Sequence, residues 1–304
     1  MVFRFALAER CATRGAMTTP KCFVTLILAC GLFVAPSTAQ RDFSAVEMKA
    51  TQVSGSVYML EGSGGNIGVL VGKEGTLIVD DQFAPLAPKI EAALANLTES
   101  KLKYVLNTHH HGDHTGGNGH FGQHATIIAH QNVRARLRGN ADTPASALPV
   151  ITFAHASAIH FNGEKITLVH RGPGHTDGDS VVRFTNANVV HMGDLFFSGR
   201  FPYVDLGSGG DIDGYMAAVG AVVSRVDDRT KIIPGHGGLA TKKDLVAYHD
   251  MIRATVKLVR AALRAGKTPA EIEADGLLSD WASWGEGWIT TRRWIETIDM
   301  DMNK

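Results

Sequence analysis

Six residues constrain this chain more than any others: His109-His110-His111-Gly112-Asp113-His114. Read as H-x-H-x-D-H, they set three imidazoles and one carboxylate side by side. No apolar core needs that composition. Imidazole with carboxylate suits a borderline divalent metal, zinc first. A hexapeptide cannot wrap all four groups around one ion in a tetrahedron. The simplest geometry gives two ions, His109 and His111 on the first, Asp113 and His114 on the second. The segment follows the strand-like Tyr104-Val105-Leu106-Asn107-Thr108 and precedes Thr115-Gly116-Gly117-Asn118. It is therefore expected in a loop at the C-terminal end of a strand, where sites in open α/β sheets lie. A stray histidine-rich surface tract would not have those flanks.

The pattern around this loop predicts alternating strands and helices. Strands are expected at 56–60, 66–71, 76–80, 103–107 and 125–129, with helices at 86–97 and 132–137. After a Gly, Pro, Ser and Thr-rich loop over 139–149, strands resume at 157–161, 165–169, 180–184, 189–192 and 231–233. Helices are expected at 211–226, 242–265, 268–275 and 289–298. Strands followed by helices thus occur twice, once in each half. Each half would supply a mixed sheet with helices on one face. Packing the sheets face to face gives a four-layer αββα sandwich of α/β (α+β) class.

The N-terminus reads differently. Lys21 precedes the apolar run Phe23–Ala35, and Pro36-Ser37-Thr38-Ala39 offers small residues where a signal peptidase reads. The expectation is a signal peptide over 1–39, cleaved after Ala39, and a periplasmic or secreted domain over 40–304 with a C-terminal helical extension. Met17 is an alternative start, and Leu28-Ala29-Cys30 a weaker lipoprotein reading. The run is too short for a comfortable span, so no stable membrane insertion is expected after its removal. All three cysteines (Cys11, Cys22, Cys30) lie in that segment, so the remainder has no disulfide and no thiolate ligand. It carries 26 basic against 29 acidic residues, which gives no electrostatic reason to expect nucleic acid as a partner.

Three further motifs supply what the hexapeptide lacks. Gly172-Pro173-Gly174-His175-Thr176-Asp177-Gly178 is a glycine-rich loop presenting His175. His191-Met192-Gly193-Asp194 and Pro234-Gly235-His236-Gly237-Gly238 put Asp194 and His236 just past strands. Each is weak alone, but four such loops, each opening at a strand end, are strong together. From about Val53 to Thr241 the chain resembles the metallo-β-lactamase-fold metallo-hydrolase superfamily. The resemblance implies one metal on His109, His111 and His175, a second on Asp113, His114 and His236, and Asp194 bridging them. It also implies two zinc ions per chain. The antibiotic-hydrolysing subclass with a cysteine on the second metal is not matched, and a bridging aspartate resembles thioesterases and lactonases of the superfamily.

The function expected is a binuclear zinc hydrolase that uses a metal-bridging hydroxide on a small carbonyl substrate: an ester, lactone, thioester or β-lactam amide. Asp113 would orient the hydroxide. The signal segment argues against cytoplasmic glutathione thioesters and makes β-lactams more plausible. A mononuclear iron persulfide-type dioxygenase on His109, His175 and Asp194 is the alternative, and a non-enzymatic metal-binding protein the third reading. Thr115, Asp80 and Asp81 are candidates to fix the ligand imidazoles. Asn118 is a candidate oxyanion contact or turn cap, and Arg200 a candidate carboxylate clamp or surface arginine. Trp281, Trp284, Trp288 and Trp294 are expected to anchor the C-terminal helices. His110 should point away from the ions, and His155, His160, His170 and His191 have no expected metal role.

Overall fold

In the computed structural model, residues 42–304 are described. The expected signal segment, with Met17, Cys30 and Ala39, lies outside them. Chain order runs β1 (Lys49–Ser54), β2 (Val57–Glu61), β3 (Ile67–Gly72), β4 (Gly75–Val79), α1 (Ala87–Leu97) and β5 (Leu102–Asn107). Two single-turn helices follow, α2 (Gly112–Thr115) and α3 (Asn118–Phe121), then β6 (Thr126–His130), α4 (Gln131–Gly139) and β7 (Ile151–Phe153). The second half holds β8 (Ala156–Phe161), β9 (Glu164–Val169), β10 (Val181–Phe184), β11 (Val189–His191), α5 (Ile212–Val223), β12 (Lys231–Ile233) and β13 (Ala240–Thr241). It closes with α6 (Lys242–Arg264), α7 (Pro269–Ala274) and α8 (Thr291–Met302).

Strands β1 to β7 form one sheet in sequence order, antiparallel through β4 and parallel from β4 to β7. The second sheet runs β13-β12-β11-β10-β9-β8, with β11 and β12 its parallel pair. Side-chain parity then sorts the apolar residues into three cores. Leu77, Val79, Leu106 and Ile128 meet Val182, Phe184, Val189 and Ile233 between the sheets. Their neighbours Ile78, Val105 and Ile127 face outward onto Ile90 and Leu94 of α1. Val181, Val190 and Ile232 face outward onto Tyr215 of α5, Tyr248 and Ile252 of α6, and Trp294 of α8. Every other residue of a strand points to the opposite face, so three cores separate four layers, helix-sheet-sheet-helix, as the pattern predicts.

The long helices end where the sequence dictates. The N-caps Asp211 and Thr241 start α5 and α6, the latter with a capping box to Asp244. Differences from the sequence expectation are small elements. β7, β13, α2 and α3 are two to four residues long, too short for a period to show. The loop over 139–149 is mostly exposed, but Ala147 and Pro149 are buried in it. Among the described residues no helix is long and apolar enough to cross a membrane.

Candidate metal centre

Four strand ends converge at one edge of the seam between the sheets. β4 runs into Asp80, β5 into the histidine loop, β11 into Asp194 and β12 into His236. The loop between β9 and β10 brings His175. Backbone bonds stitch these loops across the seam: Ser180 N donates to Thr108 O at 2.8 Å and Asn66 N to Gly235 O at 2.7 Å. The Asn66 side chain adds donations to Pro234 O and Gly237 O. Two glycines are needed for close approach. A Cβ on Gly235 would lie 2.0 Å from Asp194 Oδ1, and one on Gly65 2.1 Å from the His114 ring.

All seven ligand residues expected from the sequence meet here. His109, His111, His175 and Asp194 form one cluster whose donor atoms lie within 4.8 Å of one another, and Asp113, His114 and His236 form a second. His111 Nδ1 stands 3.2 Å from His109 Nε2 and 2.9 Å from His175 Nε2. His114 Nε2 stands 3.4 Å from His236 Nε2. Asp194 divides its carboxylate between the clusters. Oδ2 faces His109 Nε2 at 3.8 Å and His175 Nε2 at 3.5 Å; Oδ1 faces His114 Nε2 at 3.1 Å and His236 Nε2 at 3.4 Å. Asp113 Oδ2 completes the second cluster, 3.4 Å from His236 Nε2. His114 and Asp113 reach it from α2, which begins immediately after His111.

This donor set fits divalent ions. Nitrogens that face each other so closely cannot all be satisfied by sharing protons, and buried Asp194 Oδ1 has no well-formed hydrogen bond. Burial pushes the His109 imidazolium pKa well below its ordinary value and that of His175 down to about 4. Both rings are thus neutral at pH 7, with a lone pair to give. His114 is the reverse. Burial opposes its charge, but Asp194, Asp113 and Asp80 around it raise its pKa well above normal. Burial likewise opposes ionisation of Asp194, yet His114, His236 and His109 hold its pKa well below the carboxylate range. The carboxylates therefore draw positive charge into the second cluster.

The rings are held from behind. Asp80 accepts from Thr108 N and Thr108 Oγ1, each at 2.7 Å, and its Oδ2 lies 2.8 Å from His114 Nδ1. Thr108 Oγ1 is in turn 3.0 Å from His109 Nδ1. Asp80 achieves this with φ 65°, a left-handed conformation kept here by its buried bonds. His111 Nε2 pairs with Asp205 Oδ2 at 2.9 Å, His175 Nδ1 lies 2.8 Å from Tyr203 O, and the His236 ring stacks on Phe197. Of the three expected supports, only Asp80 touches an imidazole. Thr115 donates to His110 O and His111 O, and Asp81 accepts from Gly117 N. Thr108, Asp205 and Tyr203 escaped the sequence reading. Asp205 is 94 residues from His111 and has no local signature.

Other residues fall outside the two clusters. Asn118 is fully buried, its two amide hydrogens held by Asn107 Oδ1 and Ala147 O. In this arrangement the side chain ties its loop to Asn107 and to the backbone at Ala147. Arg200 is exposed, with its methylenes beside Gly287. His110 turns toward Asp205 and Ser208, as expected. His191 is bonded to Asn66 O, His170 stacks on His130, and His155 and His160 join neither cluster. Trp294 anchors α8, buried with Nε1 donating to Thr255 Oγ1. Trp281 and Trp284 pack partly buried against the same core. Trp288 does not anchor: it is 62% exposed and leans on Tyr203.

Similar proteins carry the same frame. The chain is 30% identical over 155 residues to a hydroxyacylglutathione hydrolase of Polaromonas sp., covering 50% of this chain and 55% of that protein. It is 25% identical over 201 residues to the 2,4-dinitroanisole O-demethylase subunit alpha of Nocardioides sp., covering 64% and 59%. The chain thus spans little more than half the length of these curated relatives. In fold it superposes on the DIM-1 metallo-beta-lactamase with TM-score 0.60 at 20% identity, over 69% of this chain and 99% of that one. The family model of the metallo-beta-lactamase superfamily matches residues 60–236, more than half the chain and the whole span from β2 to the last expected ligand. By fold, by motif order and by this match, the chain belongs to the metallo-beta-lactamase superfamily.

Proposed function

We propose that this chain is a hydrolase of small carbonyl substrates that works with two divalent metals, zinc first. The observation that carries the reading is the division of Asp194, one oxygen to each cluster of donors. Two ions held there would supply a water deprotonated near neutral pH and a Lewis acid for the carbonyl oxygen. The chain's own residues do the rest. His109, His111 and His175 would hold the first ion, His114, His236 and Asp113 the second. Asp113 is 26% exposed where Asp194 is 5%, so it is the carboxylate able to orient an incoming water. Hydroxide adds to the carbonyl carbon, and the C–O, C–S or C–N bond breaks. The departing atom takes back the proton that the water gave up, so one water is consumed and a carboxylic acid is left. Neither a serine nor a cysteine nucleophile is needed.

Among the substrate classes, the name of the hydroxyacylglutathione hydrolases supports thioesters. The apolar run before Ala39 supports export, in which case a cytoplasmic glutathione thioester is not the substrate met. N-terminal sequencing of exported protein should give Gln40; a lipidated Cys30 would displace that reading.

The test is elemental analysis of purified protein followed by a panel of β-lactam, lactone and thioester substrates. Two metals per chain are expected, with His236→Ala losing mainly the second and His109→Ala mainly the first. One iron per chain, unchanged by His236→Ala, would overturn the hydrolase reading in favour of the mononuclear dioxygenase.

A further inference from the structure

We infer that Trp288, Tyr203, Arg200 and Arg293 form a substrate shelf beside the first donor cluster, built for a compound that carries a carboxylate next to a planar apolar group. The inference rests on the hydrolase reading and names its substrate class. It begins with an anomaly of burial. Trp294 is fully buried, while Trp288 is 62% exposed. Leaving an indole in water forgoes a large part of its hydrophobic stabilisation, so an exposed one joined to a donor cluster points to a ligand.

The indole is joined to the donors by a short chain of rings. Trp288 lies 4.9 Å from Tyr203, and Tyr203 lies 5.5 Å from His175 and 6.0 Å from His111, the last two ring planes inclined at 30°. Tyr203 is also fixed to the centre through its backbone, since its carbonyl faces His175 Nδ1 at 2.8 Å. The shelf therefore keeps a set position relative to the reacting carbonyl.

One guanidinium lies over the indole, and a second arginine packs along the backbone beside it. The Arg293 Cζ stands 5.2 Å from the Trp288 ring centroid. Arg200 packs along Gly287, next to Trp288 in sequence; a Cβ on that glycine would meet Arg200 Cδ at 3.1 Å. Arg136, Arg260 and Arg292 all pair with carboxylates. Among the described residues neither Arg200 nor Arg293 does. A guanidinium laid on an aromatic face keeps its N–H fork free for a carboxylate. Indole and phenol faces take a planar apolar group. Both Trp288 and Arg293 lie beyond the stretch that matches the family model, so the shelf belongs to this chain's C-terminal segment.

The experiment uses zinc-loaded protein and a matched pair, S-benzoylthioglycolate and its uncharged analogue S-benzoylthioglycolamide. The wild type should prefer the carboxylate by about tenfold in kcat/KM, the worth of one charge-assisted hydrogen bond. Arg200→Gln and Arg293→Gln should each shrink that ratio, and the double variant should bring it near one with metal content unchanged. Trp288→Ala should raise KM for both compounds more than it lowers kcat. A wild-type ratio near one, or a ratio that the double variant leaves intact, overturns the shelf. If neither thioester is cleaved, thioester hydrolysis fails separately. The shelf is then read by quenching of tryptophan fluorescence with benzoylglycine and its amide. Preference for the acid that the double variant abolishes sustains it, and equal quenching by both overturns it.

Discussion

At the scale of single residues, the centre depends on side chains that never meet a metal. Asp80 holds Thr108 twice and faces His114 Nδ1, so it fixes ring orientation in both donor clusters. Asp80→Asn should weaken metal binding and turnover by about 10- to 100-fold, the usual effect of removing such a partner, read by zinc titration against a competing chelator. Asp205→Asn should act on one cluster only, because Asp205 faces His111 alone among the ligands. Its expected signature is about 10-fold weaker loading of one ion with the other unchanged; equal loss of both would refute the assignment. The ligands themselves were legible in the sequence, since each stands in a short motif at a strand end. Asp205 and Tyr203 were not, because their importance exists only after the fold brings them to rings far away in the chain.

At the scale of elements, the helical layer behind the second sheet holds Asp194 in place. Tyr215 of α5 donates to Asp194 O at 2.8 Å and shares a 2.6 Å contact with Tyr248 Oη of α6. Both phenols are fully buried. Tyr215→Phe leaves a buried carbonyl and a buried hydroxyl short of a partner. It should cost about 1–3 kcal/mol of stability, measured by urea unfolding, and lower the affinity for the second metal. Trp294→Ala should cost about 3–5 kcal/mol, the range for removing a large buried aromatic, while leaving the metal ratio intact. Long elements were readable because the apolar runs of β3 and β4, buried on both faces, and the 3.6-residue period of α6 are long enough to show. The single turn α2 repeats nothing, and the sequence shows only a loop there.

At the scale of the whole molecule, the centre is a joint between the two sheets. Removing metal with a chelator should lower Tm, and restoring zinc should recover it. With free zinc at 100 times Kd the recovery corresponds to about 2.7 kcal/mol, followed by thermal denaturation in parallel with activity. An unchanged Tm on stripping would mean that the loops are held by their own bonds, such as Ser180 to Thr108 and Asn66 to Gly235, and not by the ions.

The order of the strands carries one more consequence. The first sheet is complete at Phe153 and the second begins at Ala156, so the two are consecutive in the chain. Each cluster takes its donors from both. His109 and His111 come from the first stretch and His175 and Asp194 from the second; Asp113 and His114 come from the first and His236 and Asp194 from the second. A ribosome delivering the chain thus releases a half with two donors for each ion, too few to grip either. On the proposed reading, a half-made molecule would be chemically silent until the second sheet has docked on the first.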